Sequence, residues 1–370
     1  MIAMLLFAAT PAVIETPDPS ARRVSIQAVV MLPKLTEFEK GMLDVLVKTI
    51  PKRTAEYSKT EMLIATDGAT VTCDRMPDSV RIGVSVLPDN FRAGMGVVNN
   101  LLHKATLSDA DLIAANSEPE MVSRWMSPRW TADYPMDRFR TDRARALYGQ
   151  VFQPENITIS VGGAFENGAA AAIWKRDVAS WGGPRIHPFQ DDFSVSKPRV
   201  MEGGNPKIEH VDHAFDPSAK NILAMFALGS GKGSSLFRIV RDQMAVSYRQ
   251  EAIIWPTDAG FQSCLQWATS GDTKLADVQA ALTKDIDAWT DAERLRAIGM
   301  ASGVFDLGVD ASPFYFTPTG PIGHDLDDRT FMKAYWYAKT GQDWDPAKLI
   351  KDMRSVSLDD LKAAAKTIVG

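Results

Sequence analysis

Residues 229–234 read GSGKGS, a lysine among glycines, the kind of sequence whose backbone amides can cradle phosphate. The spacing argues against that chemistry. The first glycine of a phosphate loop would fall on Phe226, and Gly233 takes the place of its Ser or Thr. His210 and His213, flanked by Glu209 and Asp212, offer imidazole and carboxylate groups suited to a divalent metal. Three positions apart on an extended segment they point to opposite faces, so they read as surface or interface histidines. Residues 324–328 (HDLDD) lack the spacing of a calcium loop and read as a solvated turn with helix-capping carboxylates. Asp44 and Lys48 stand at i and i+4 with the acid on the N-terminal side, a helix pair worth about 0.2–0.5 kcal/mol. The two cysteines, Cys73 and Cys264, form no C-x-x-C spacing, which excludes a disulfide scaffold and a thiolate zinc site; two free thiols are the preferred reading over one disulfide.

The elements that must hold these residues alternate between strand and helix. Residues 24–32 (VSIQAVVML) are rich in β-branched side chains and read as a mostly buried strand. Thr36 and Glu39 form a capping box, and apolar residues recur near helical spacing from Phe38 to Ile50 until Pro51 ends the run. Val71 and Cys73, a turn at Pro77 and Asp78, and then Val80, Ile82, Val84 and Val86 predict an antiparallel hairpin. A helix is expected over 91–102, and Ser108 with Asp111 opens another that Pro119 should disturb. Residues 156–161 (NITISV) predict a strand, followed by a helix over 165–180 that ends at Gly182 and Gly183. Residues 184–207, with four prolines and two adjacent glycines, read as a linker. Beyond it come an extended piece at 208–211, a helix from Asp216 through Leu228, a second from Ser234 to Met244, strands near 249–254 and 261–268, and mostly helix thereafter. Both halves are therefore α+β, without a sequence repeat linking them.

The length of 370 residues fits about two domains. Apolar residues at 45% and charged residues at 24% exclude a disordered chain, a collagen or a coiled coil. A formal charge of −5 provides no basic field for phosphate backbones, so nucleic acid is not an expected partner. The apolar opening, residues 1–12 (MIAMLLFAATPA), is shorter than the roughly 20 residues that cross a bilayer. It resembles a clipped signal peptide without the usual basic start. If it is a signal remnant, the protein is exported or periplasmic; otherwise it is cytoplasmic.

Residues 228–248 (LGSGKGSSLFRIVRDQMAVSY) resemble the C-terminal module of the M16 metallopeptidases, the insulinase and mitochondrial-processing-peptidase family, which writes a glycine-rich loop, S-R-L-F and then R-x6-Y. Leu236 and Phe237 match, Arg241 and Tyr248 fall at the R-x6-Y spacing, Ser235 stands for the Arg, and Ala245 stands where a Gly is usual. If that position is left-handed, alanine strains it by roughly 1 kcal/mol. The strand at 24–32, the helix at 41–50, residues 67–74, the helix at 91–102 and residues 155–163 align with the N-terminal module. The resemblance implies an α+β fold of two similar modules of the LuxS/processing-peptidase-like type, each an antiparallel sheet backed by helices. They span 13–183 and 208–370, joined by the linker 184–207.

Where the family writes G-L-A-H-x-L-E-H, this chain writes Gly41, Met42, Leu43, Asp44, Val45, Leu46, Val47, Lys48. A catalytic zinc needs three protein ligands and an open water position, with a carboxylate to take the water's proton. Asp44, Val47 and Lys48 replace the two histidines and the glutamate, and the third ligand aligns near Val122, with Glu118 and Glu120 shifted. The resemblance therefore implies a lost metal site, no metal in this chain and no catalytic residue in isolation. It also implies that Arg241 and Tyr248, with Gly229, Gly231 and Gly233, bind peptide. A guanidinium and a phenol donate hydrogen bonds to carbonyl oxygens and polarise them. The expected function is a non-catalytic subunit of a heterodimeric M16-type zinc peptidase, inactive alone, whose partner carries H-x-x-E-H and the zinc. The alternative is a non-enzymatic pseudopeptidase, a structural scaffold or peptide-binding subunit. A lone hydrolase with a rebuilt metal site is set aside because the ligand count falls short.

Overall fold

The computed structural model describes residues 12–69, 71–117, 139–179, 181, 207–257, 259–269, 274–307, 312–315 and 325–370. These form two units. The first holds the described residues up to Trp181 together with Asp325–Trp344; the second holds the remainder. Of the linker 184–207 all but Lys207, which opens a strand, lies outside the described residues, as do Pro119, the three positions near Val122 and residues 1–11.

The first unit is built on a five-stranded sheet of order β1-β5-β2-β4-β3. Its strands are β1 (Val13–Pro17), β2 (Val24–Met31), β3 (Thr72–Arg75), β4 (Ser79–Val86) and β5 (Ile157–Gly163). The expected hairpin is present as the antiparallel pair β3/β4. β2 lies antiparallel between β4 and β5, while β1 joins β5 in parallel, so this sheet is mixed at one edge and not wholly antiparallel. Alternation on β2 assigns its faces: Val24, Ile26, Ala28 and Val30 enter the main apolar core. Ser25 and Gln27, also buried, point the other way.

Helices α1 (Glu37–Thr49), α2 (Lys59–Ala65), α3 (Phe91–His103), α4 (Asp109–Ser117), α5 (Thr141–Val151) and α6 (Ala169–Val178) belong to this unit. α1 begins at the expected capping box, with Thr36 accepting from the Glu39 amide and the Glu39 carboxylate accepting from the Thr36 amide. Ser58 and Glu61 form a second box at α2. α6 stops at Val178, short of the glycines expected to end it.

The opposite face of the sheet is covered by a helix from far along the chain, Leu326–Thr340. Its contacts explain the polar residues buried on β2 and β4. Gln27 accepts from Arg81 at 2.9 Å, and Arg81 reaches Asp328 at 2.8 Å while lying over the Phe331 ring. Asp78 accepts from Tyr335 at 2.9 Å and from Lys339 at 2.7 Å. A buried polar group costs little when its partner is present. Division of the chain at 184–207 alone would have placed this helix with the second half.

The second unit contains β6 (Lys207–Phe215), β7 (Gln250–Thr257) and β8 (Gly260–Thr269), ordered β6-β8-β7 and antiparallel throughout. Its helices are α7 (Ala219–Gly229), α8 (Leu275–Asp287), α9 (Asp291–Leu307), α11 (Pro346–Arg354) and α12 (Leu358–Val369), with Leu326–Thr340 numbered α10. Strand, helix and hairpin follow one another as β6-α7-β7-β8, and the first strand pairs with the second hairpin strand. β2, α1, β3 and β4 show the same order and pairing, so the two α+β units share a plan that their sequences do not display. No helix among the described residues is long and apolar enough to cross a membrane.

Candidate functional site

The helix at the metal position of the resemblance is α1, and its residues face three different settings. Val47 is buried in the apolar core. Asp44, 13% exposed, accepts from Arg75 of β3 at 2.6 Å, and Arg75 is 6% exposed. The strong partner of Asp44 is thus a guanidinium on the neighbouring strand, which the expected i,i+4 pairing with Lys48 did not include. A buried carboxylate needs such a partner, because an unpaired one costs several kcal/mol. Lys48 is half-buried one turn on. These groups do not suit zinc: one carboxylate is committed to a cation, one position is apolar and one is an ammonium. Among the described residues no three His, Cys, Asp or Glu side chains gather as a metal would require.

The second constellation lies wholly in the other unit. α7 ends at Gly229, where an added Cβ would stand 2.2 Å from the Ala252 Cβ of β7. Gly231 has φ +77°, open to glycine and strained for other residues. The carbonyls of Ala227 and Ser230 accept from Arg296 at 2.7 and 2.8 Å, and that of Gly233 accepts from Arg238. Gly229 and Gly231 therefore have a packing and a conformational reason to be glycine, and a Cβ at Gly233 would stand 3.0 Å from Arg296 Cδ. Burial pulls the Arg296 pKa below its usual value against the opposing pull of Glu293.

The helix expected over 234–244 is present in a wider form. Phe237–Gln243 is a π-helical turn, and the Met244 amide donates to the Ile239 carbonyl five residues back at 2.9 Å. Such turns widen the helix and recur at functional sites. Beyond it Ala245 has φ 53°, the left-handed conformation that the usual glycine would take without strain. The chain then reverses, with the Val246 amide on the Val240 carbonyl at 2.8 Å, and Ser247 accepts from the Arg249 amide.

This geometry brings Arg241 and Tyr248 together. The guanidinium lies 4.8 Å from the Phe237 ring centre and 5.4 Å from that of Tyr248. Tyr248 is 88% exposed. A large aromatic side chain kept in solvent and touched by a cation is a typical recognition element. In sequence Phe237 is a motif match; in the structure its ring lies against Arg241, four positions on. The remaining sequence candidates gather no site: His210 pairs with Asp212 at 2.7 Å, and His213 sits elsewhere on β6. Asp325 caps α10 by accepting from the Asp328 amide, as a helix-capping carboxylate should, while His324 lies outside the described residues.

No family model matches the sequence, and no curated protein matches it. Solved structures match its fold along almost the whole chain. A protease from Helicobacter pylori aligns with TM-score 0.71 and 13% identity over 97% of this chain and 94% of its own. A peptidase M16 inactive domain from Pseudomonas fluorescens aligns with TM-score 0.68 and 14% identity over 97% and 93%. A predicted insulinase family protease from Yersinia pestis gives 0.58 and 12% over 96% and 87%. The chain has the two-domain α+β fold of M16-type peptidases.

Proposed function

We propose that this chain is a non-catalytic subunit of a heterodimeric M16-type zinc peptidase, which lends Arg241 and Tyr248 to peptide binding beside the zinc of a partner subunit. The observation that carries the reading is a contrast between its two constellations. The metal position is filled by the Asp44–Arg75 ion pair and by Val47, whereas Tyr248 stands in solvent against Arg241. The likeness to a structure described as an inactive M16 domain is in keeping with such a chain.

In this reading Arg241 and Tyr248 donate hydrogen bonds to oxygens of a bound peptide and fix its course. The loop from Gly229 to Gly233 shapes the adjacent surface. Hydrolysis belongs to the partner. The test is to purify the chain alone and co-expressed with a chain that carries H-x-x-E-H, then measure zinc content and cleavage of a mixed peptide pool. The reading predicts neither zinc nor cleavage for the chain alone and both for the pair. Association without cleavage would favour the pseudopeptidase scaffold, and zinc-dependent cleavage by the chain alone would overturn both.

A further inference from the structure

Charge is balanced inside the second unit and left open at its surface. Arg238 and Arg296 hold the carbonyls of Ala227, Ser230 and Gly233, so these acceptors of the glycine-rich loop are taken up internally. Asp285 and Glu293 answer the two cations: Asp285 accepts from Arg238 at 2.8 Å, and Glu293 accepts from Arg238 and Arg296, each at 3.2 Å. Asp285 further accepts from Ser235 and Trp289. Two arginines thus face two carboxylates, with nothing left over.

Arg241 stands outside this balance. Its guanidinium meets the rings of Phe237 and Tyr248 and forms no hydrogen bond or ion pair with a described residue. Lys232, exposed on the loop, likewise forms none among the described residues. Of the nearby acids, Asp242 follows Arg241 round the helical turn without pairing to it, and Glu251 is engaged by Arg249 at 3.5 Å. The guanidinium N–H groups, unpaired among the described residues, are the donors left for a ligand. Two parallel N–H donors match the two oxygens of a carboxylate, where a neutral carbonyl offers one, and charge-assisted bonds are about twice as strong. The Tyr248 hydroxyl adds a further donor.

We propose that the peptide bound by Arg241 and Tyr248 presents a carboxylate to Arg241, either its own C-terminus or an Asp or Glu side chain. The proposal rests on the peptide-binding reading and narrows it. The test is fluorescence anisotropy of the full chain with octapeptides of Ala, Ser and Val carrying an uncharged N-terminal dye. One ends in a free carboxylate, a second in an amide, and a third in an amide with one internal Glu. At least one carboxylate peptide should bind about tenfold more tightly than the plain amide, and Arg241→Gln should abolish that advantage without changing the thermal melt. An advantage for the first peptide alone identifies the chain terminus, and for the third alone an acidic side chain. In wild type, raising salt from about 50 to about 500 mM should shrink the advantage, which guards against a variant that folds poorly. Equal binding of all three would overturn the carboxylate proposal and leave the peptide reading standing. Binding of none would overturn both.

Discussion

At the scale of single residues, Ala245 connects sequence to geometry most directly. An alanine at φ 53° carries about 1 kcal/mol of strain that glycine would not. Ala245→Gly should therefore raise stability by about 0.5 kcal/mol at most, read as a slightly higher denaturant midpoint at unchanged m-value, since much of the gain is offset by the greater freedom of unfolded glycine. The Asp44–Arg75 pair gives a larger effect of opposite sign. Asp44→Ala takes the carboxylate at 2.6 Å away from the buried Arg75 guanidinium and should cost about 3 kcal/mol, whereas Asp44→Leu combined with Arg75→Met should cost less, because both charges of the pair are removed together. A double-mutant cycle in urea checks both. The sequence shows Asp44, Val47 and Lys48 on one helix and the R-x6-Y spacing of Arg241 and Tyr248. It concealed Arg75, because an ion pair across 31 positions leaves no periodic trace, whereas i,i+4 spacing suggests Lys48 at once.

At the scale of elements, the capping box at Thr36/Glu39, the Ser108 cap that accepts from the Asp111 amide and the β3/β4 hairpin were legible because their determinants are local. Ser58/Glu61 and the 3.6-residue apolar pattern of Ala144, Leu147, Tyr148 and Val151 carried the same kind of signal for α2 and α5 and were passed over. β1 was obscured by the apolar opening beside it, and the π-turn is set by tertiary packing that periodicity does not encode. β3 also carries a pH-dependent element. Burial raises the pKa of Asp74, Arg81 opposes the shift, and Asp328 adds to it. A carboxyl with a raised folded-state pKa is more at ease protonated, so its cost is absent below the ordinary value of about 4 and grows as pH rises through the folded one. Asp74→Asn should raise Tm at pH 7 and leave it nearly unchanged at pH 3, as measured by thermal melts across that range.

At the scale of the whole molecule, composition and alternation predict two α+β halves, and the two units repeat one strand order, β2-β4-β3 and β6-β8-β7. What sequence could not reveal is the return of α10 to the first sheet, because burying Ser25, Gln27 and Arg81 beneath it depends on partners about 250 positions away by simple spacing. Asp78→Ala would leave Tyr335 and Lys339 without their shared acceptor and should cost about 3 kcal/mol in chemical denaturation. The functional account divides the work differently: α1 contributes packing, and the Arg241/Tyr248 end of the second unit contributes recognition. The most direct test is the rate of peptide cleavage by the assembled pair with Tyr248→Phe in place of wild type. Tyr248 is exposed, so the substitution should leave folding and subunit association intact. The account predicts a rate lower by about 10² to 10³, the usual loss for one preorganised donor at a reacting carbonyl. A wild-type rate from a fully associated Tyr248→Phe pair would contradict it.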